Sequence, residues 1–87
     1  MSRLIPAAER ITRARALIQK ARDLPIPAET GYRDFSYVAQ VKDLLQQARD
    51  MVKFIPYTPS ATAEMKSEVE KINQETVQAE KEILHKV

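Results

Sequence analysis

The sequence predicts an all-α fold, an antiparallel up-down-up bundle of three helices that forms one domain over residues 1–87. Apolar residues recur every three or four positions in three separate segments, which is the period of an amphipathic helix. Prolines interrupt this period between the segments, and proline lacks the N–H group that a helix interior needs. The chain has a single glycine and 30% charged residues, a composition that favours helices over a sheet with tight turns.

The first helix is predicted over residues 6–24, because Pro6 suits the first position of a helix. Its apolar stripe combines a bulky row and a row of alanines, namely Leu4, Ile11 and Ile18 and then Ala7, Ala14 and Ala21. Pro25 and Pro27 end this helix, since each disfavours helical geometry in the residue before it. Residues 25–33 are expected to form a loop.

The second helix is predicted over residues 34–54. Its apolar stripe follows the helical period through Phe35, Val38, Val41, Leu45, Ala48, Val52 and Ile55. Three residues near its start have side chains suited to an N-cap, namely Thr30, Asp34 and Ser36. The sequence alone does not choose between them.

The third helix is predicted over residues 59–86. Thr58 provides a hydroxyl cap and Pro59 suits the first turn. Its apolar stripe is the weakest of the three, because Thr76 and Ala79 lie in its middle. We therefore expect this helix to be polar over most of its surface.

The net charge of +2 conceals an uneven distribution along the chain. Residues 1–27 carry six basic and two acidic residues, a net charge of +4, whereas residues 28–87 carry eight basic and ten acidic residues, a net charge of −2. This asymmetry predicts an acidic partner at the first helix. The competing interpretation is a solvated helix face that binds no partner.

The sequence does not indicate an enzyme or a metal protein. There is no cysteine, and His85 is the single histidine, so no cluster of metal ligands is expected. No nucleophile with a histidine base and no glycine-rich phosphate loop can be recognised. We expect no catalytic residue, no metal and no cofactor of the protein's own.

A membrane span and nucleic-acid binding are also disfavoured, whereas binding of the basic amphipathic first helix to a membrane surface stays open. No apolar run approaches the roughly 20 residues that span a bilayer, and none resembles the core of a secretory signal. Nucleic-acid binding is an unfavoured interpretation of the first helix, because its arginines are spread around it and no aromatic residue lies among them. The same basic amphipathic pattern would suit mitochondrial import.

The alanine row has two interpretations. Small side chains allow two helices to pack closely, or they leave a bundle underfilled, so that a long apolar group can enter. In either case the predicted apolar seam consists of Ala7, Ala14, Ala21, Ile18, Val41 and Leu45.

Two phrases in the sequence resemble the LYR-motif (complex 1 LYR-like) family. They are residues 15–25 (RALIQKARDLP) and residues 32–35 (YRDF), followed by Val41, Lys42 and Leu45. The resemblance covers residues 10–50. Where the family has Leu-Tyr-Arg, this chain has Arg13-Ala14-Arg15, and where the family has a phenylalanine late in the second helix, it has Leu45.

This resemblance implies a small mitochondrial three-helix adaptor that binds acylated acyl carrier protein and supports the assembly of a larger complex. Carrier proteins are acidic, so basic side chains would meet their carboxylates and the phosphate of the acyl-phosphopantetheine. The residues expected to do so are Arg10, Arg13, Arg15, Arg22 and Lys42. The alternative is a structural or oligomerisation subunit of a cytoplasmic or nuclear complex, whose first and third helices complete a bundle with other chains.

Overall fold

A computed structural model describes residues 6–29 and 34–84 of the chain. Three α-helices make up most of this part: α1 (Ala7–Asp23), α2 (Phe35–Val52) and α3 (Ala63–Leu84). A short 3-10 turn, Ile55–Tyr57, lies between α2 and α3. The described residues contain no β-strand, so the predicted all-α fold is confirmed.

Contacts between the helices establish the up-down-up order. Arg10, near the start of α1, donates a hydrogen bond to the carbonyl of Met51 at the end of α2, so α1 and α2 run antiparallel. Arg15 forms ion pairs with Glu68 and Glu75. Further along both helices, Arg22 pairs with Glu82. The helices α1 and α3 therefore run parallel to each other.

The core is built from one stripe of each helix. Its fully buried members are mostly small or branched side chains, which are Ala14, Ala21, Val41, Leu45, Ala48, Val52, Ile72, Thr76 and Ala79. The predicted row residues Ile11 and Ile18 are also buried, whereas Leu4 lies outside the described residues. The helical spacing of apolar residues thus places the core correctly on all three helices.

Phe35 is an exception, because its side chain is 91% exposed although the sequence places it in the stripe of the second helix. Phe35 precedes Val41 by six residues, which puts the two side chains about 120° apart around the helix. Tyr37 lies one turn before Val41 instead, and its side chain is buried.

The beginning of α2 is fixed by Asp34. One carboxylate oxygen, Oδ1, accepts a hydrogen bond from the backbone N–H of Tyr37 at 2.9 Å. This bond satisfies a donor that has no partner within the first turn of a helix. Of the other two candidate caps, Ser36 lies inside the first turn and Thr30 lies outside the described residues.

The predicted start of the third helix at Thr58 and Pro59 is wrong. The backbone N–H of Thr58 donates to the carbonyl of Ile55, and the N–H of Ala61 donates to the carbonyl of Thr58. Thr58 therefore ends the 3-10 turn and opens a tight turn of its own. The helix begins at Ala63, where Thr62 Oγ1 accepts from the N–H of Met65 at 3.1 Å.

The polar residue in the apolar stripe of α3, Thr76, has hydrogen-bond partners for its hydroxyl group. Thr76 is fully buried, and its hydroxyl donates to the carbonyl of Asn73 at 2.7 Å. The same oxygen accepts from Arg49 Nε at 2.9 Å, which joins α2 to α3. A buried hydroxyl with both roles filled costs little to place in a core. The predicted end of this helix, at residues 85 and 86, lies outside the described residues.

Candidate protein-binding surface

The basic residues of α1 divide between two flanks of that helix. Contacts with α3 mark one flank, since Arg15 and Arg22 lie seven residues apart and both reach acidic residues there. The contact of Arg10 with Met51 marks the other flank, next to α2. Because residues three, four or seven apart share one side of a helix, each basic residue can be assigned to a flank.

The flank next to α3 forms an ion-pair ladder, which we define as Arg15 and Arg22 with Glu68, Glu75 and Glu82. Arg15 contacts two carboxylates of the ladder, and its Nε lies 3.4 Å from Oε2 of Glu75. Arg22 pairs with Glu82 one step further along both helices. The three glutamates follow the same seven-residue spacing as the two arginines, so the parallel helices match in register.

These contacts shift the titration of the groups involved. The hydrogen bond from Arg15 holds the pKa of the Glu68 carboxyl below its ordinary value, and Lys71 at 3.6 Å acts in the same direction. The hydrogen bond with Glu68 likewise raises the pKa of Arg15 above its ordinary value. Both changes favour the charged forms that make the pair.

Arg15 and Arg22 are consequently held within the chain, in contrast to the expectation that their guanidinium groups are left open for a partner. An anionic partner would compete with the glutamates of α3 for these guanidinium groups. The sequence carried a signal of this arrangement in the matched seven-residue spacings of the arginines and glutamates. That signal identifies partners only when the helices are known to be parallel and adjacent.

The flank next to α2 carries what we call the basic row, Arg10, Arg13 and Lys20. Arg13 and Lys20 are exposed, and Leu17 lies half-buried between them. Arg13 pairs with Glu9 at 2.9 Å, but both side chains are about half exposed, and an i,i+4 pair of this kind contributes little. The basic row therefore presents positive charge beside apolar surface, on the side of α1 away from the ladder.

Lys42 does not join the basic row. It lies seven residues before Arg49 on α2, and Arg49 bonds to Thr76 of α3, so both belong to the flank of α2 next to α3. Lys42 is exposed at that position. Of the five residues expected to contact a partner, the structure thus groups Arg10 and Arg13 on the flank next to α2, where Arg10 is half-buried and donates to the carbonyl of Met51.

The predicted apolar seam is packed inside the bundle. Its members Ala14, Ala21, Val41 and Leu45 have no exposed surface, Ile18 is 6% exposed, and Ala7 is partly buried. Burial of the alanines between helices is what close packing requires. Entry of an acyl chain along this seam stays a prediction.

Sequence reasoning missed a pocket at one end of the bundle, where α1 begins and α2 ends. We call it the end pocket; its volume is about 360 Å³. Its lining comes from α1, α2 and the turn that follows, and comprises Pro6, Ala7, Arg10, Met51, Phe54, Ile55, Thr58 and Ser60. The sequence analysis used this segment only for the ends of the second and third helices, and the one available signal was its two aromatic residues, Phe54 and Tyr57.

The chemistry available on these surfaces is that of charge and apolar contact. Within residues 6–29 and 34–84, no group of three or more histidine, cysteine, aspartate or glutamate side chains is arranged to hold a metal ion. In the same part of the chain no helix is long and apolar enough to cross a membrane. Every buried side-chain nitrogen or oxygen described has a hydrogen-bond partner.

Comparison with models of known protein families gives no match, and neither curated proteins nor solved structures match the chain. The class that the fold itself defines is a three-helix bundle. The resemblance of residues 10–50 to LYR-motif proteins accordingly stays a prediction from the sequence.

Proposed function

We propose that the chain is a non-enzymatic adaptor of LYR-like type, which binds an acidic protein as part of a larger assembly. The candidate partner is acylated acyl carrier protein, and the candidate location is the mitochondrion. The observation that carries the proposal is the basic row, Arg10, Arg13 and Lys20, which lies on the side of α1 away from the carboxylates of α3.

The basic row suits an acidic protein for electrostatic reasons. Its charges are carried by one rigid helix, so they keep their spacing when a partner approaches. Exposed charges of one sign attract an oppositely charged partner and accelerate its association. Leu17 adds apolar surface between the charges, which a partner covers once it has docked.

The ion-pair ladder favours this function over that of an oligomerisation subunit. In the alternative, the first and third helices pair with other chains. Here α1 and α3 pair with each other through Arg15 and Arg22, and the apolar residues beneath them are buried. A module whose helices already satisfy one another offers its outer surface for binding.

The test is the affinity of the full chain for purified acylated acyl carrier protein, measured by isothermal titration calorimetry. The variant Arg13→Gln/Lys20→Gln removes two charges of the basic row without breaking the ion-pair ladder. We expect it to weaken binding by about tenfold and to reduce the dependence of affinity on salt.

The matched control is Lys66→Gln/Lys81→Gln, which removes two exposed charges from α3 and leaves the same net charge. We expect it to bind almost as tightly as the parent. Absence of binding by the parent chain, or equal losses in both double variants, would contradict the proposal. Arg15→Ala is a less suitable probe here, because it also removes contacts between α1 and α3.

A further inference from the structure

The end pocket arises from how the chain leaves α2. After Val52 the backbone enters the 3-10 turn, and Ile55 turns inward so that only 4% of it is exposed. Phe54, immediately before it, is directed outward and is 68% exposed. Pro6 and Ala7 at the start of α1 form the opposite wall.

The walls of the end pocket are mainly apolar, and its size suits a large side chain. Its volume of about 360 Å³ is near the lower end of the range for small-ligand sites, which begins at about 300 Å³. Apolar surface also continues outside the pocket, because Phe54 and Tyr57 are both largely exposed. Exposed aromatic residues around a pocket are typical of the anchoring points of protein interfaces.

The charges around the end pocket favour an acidic occupant. Arg10 lines the pocket and also belongs to the basic row, so the two surfaces are continuous. Lys53 Nζ lies 5.1 Å from the centre of the Phe54 ring. It also lies 3.6 Å from Asp50, but that pair is about half exposed and is screened by solvent.

We infer that the end pocket receives a large apolar side chain from an acidic helical segment of the partner protein, whose carboxylates lie beside Arg10 and Lys53. This inference rests on the proposed function and specifies where the acidic partner is anchored. Apolar burial supplies the affinity at the pocket, and the two cations select the sign of the partner's charge.

The shape of the surface favours a protein segment over a membrane. A lipid surface is bound by apolar side chains that protrude into it, whereas Pro6, Met51 and Phe54 enclose a concave space. A single side chain from a helix fits such a space, as in the recognition of amphipathic helices by apolar grooves.

The experiment titrates the isotope-labelled full chain with two synthetic amphipathic peptides of about 18 residues, or five helical turns. They share the same leucines and differ only in having glutamate or lysine at the polar positions. We expect the acidic peptide to shift the backbone NMR signals of Ala7, Arg10, Met51 and Ile55 in a saturable manner. The lysine peptide is expected to leave them unchanged.

Phe54→Ser and Phe35→Ser form a matched pair of variants, because both phenylalanines are largely exposed, but Phe35 begins α2 and Phe54 lies two residues beyond its end. We expect Phe54→Ser to weaken binding of the acidic peptide by about tenfold or more, and Phe35→Ser to have no effect. Circular dichroism verifies that both variants keep the helical content of the parent.

Several outcomes would overturn the inference. These are no saturable binding of the acidic peptide, equal binding of the two peptides, equal effects of the two serine variants, or binding of anionic phosphatidylserine vesicles that depends on Phe54. The carrier-protein titration separates this inference from the proposed function. If the acidic peptide binds at the pocket but carrier protein does not bind, the named partner is wrong and the inference about the pocket stands. If carrier protein binds the parent and Phe54→Ser equally, the proposed function stands and the pocket is excluded as its anchoring site.

Discussion

Asp34 shows how a single side chain determines where a helix begins. Its carboxylate accepts the N–H of Tyr37, and this bond lets Tyr37 enter the core one turn before Val41. We expect Asp34→Ala to lower the free energy of unfolding by about 1 kcal/mol, the usual cost of losing an N-cap. Urea denaturation followed by circular dichroism measures this change.

Ser36→Ala is the control for Asp34, because Ser36 is exposed in the same turn. It should change the free energy of unfolding by less than about 0.5 kcal/mol. Equal losses in the two variants would show that Asp34 contributes no more than a general helix preference.

The two cap regions also show what the sequence could and could not predict at this scale. Asp34 was one of three candidates, and the choice depends on which backbone N–H its carboxylate can reach. Thr58 was a reasonable cap by residue type, but its own backbone is engaged in the turn after Ile55. Thr62 caps the helix instead. The sequence could not show this, because residue preferences do not reveal the hydrogen bonds of neighbouring backbone groups.

At the scale of the element, α1 depends on its row of alanines for close contact with the rest of the bundle. Ala14 is completely buried, so a larger side chain there must displace its neighbours. We expect Ala14→Leu to lower the free energy of unfolding by about 1–3 kcal/mol. Chemical denaturation provides the measurement.

The control for Ala14→Leu is Ala16→Leu, two residues away on the exposed side of α1. This substitution should change the free energy of unfolding by no more than about 0.5 kcal/mol. If Ala14→Leu proves neutral or stabilising, the seam is underfilled, and the interpretation in which a long apolar group enters the bundle gains support.

The helical period predicted the inner face of each helix well. Each helix turns its apolar stripe toward the core whichever way the three helices are arranged. The flanks were not predictable in this way. Arg15 and Arg22 appear equivalent to Arg13 in the sequence, yet they contact α3 while Arg13 faces solvent. Their assignment depends on which helix lies on which side, and the apolar pattern does not specify that.

At the scale of the whole molecule, part of the excess positive charge of α1 is paired with carboxylates of the same chain. The sequence indicated a basic first helix and an acidic remainder, and part of that acidity lies on α3 in the ion-pair ladder. The internal pairs lie between the parallel helices α1 and α3, and the basic row lies on the other flank of α1. Charge thus both stabilises the bundle and forms the proposed binding surface.

This division predicts how stability depends on pH. Because Arg15 lowers the pKa of Glu68 in the folded chain, their pair stabilises the fold fully above the ordinary glutamate pKa of about 4.5. That stabilisation is lost as the pH falls through the lowered pKa of Glu68. We therefore expect Arg15→Ala to reduce the melting temperature most at neutral pH, and progressively less below about pH 4.

The test is thermal unfolding of the parent, Arg15→Ala and Lys66→Ala across this pH range. Lys66 is an exposed lysine of α3, so its variant is the control for losing one positive charge. In about 1 M salt the Debye length falls to about 3 Å, so the difference between the parent and Arg15→Ala should shrink at neutral pH as well. The Lys66 variant should show a smaller effect throughout. A difference for Arg15→Ala that is constant with pH and salt would mean that its side chain stabilises the bundle by packing of its methylene groups rather than by pairing with Glu68 and Glu75.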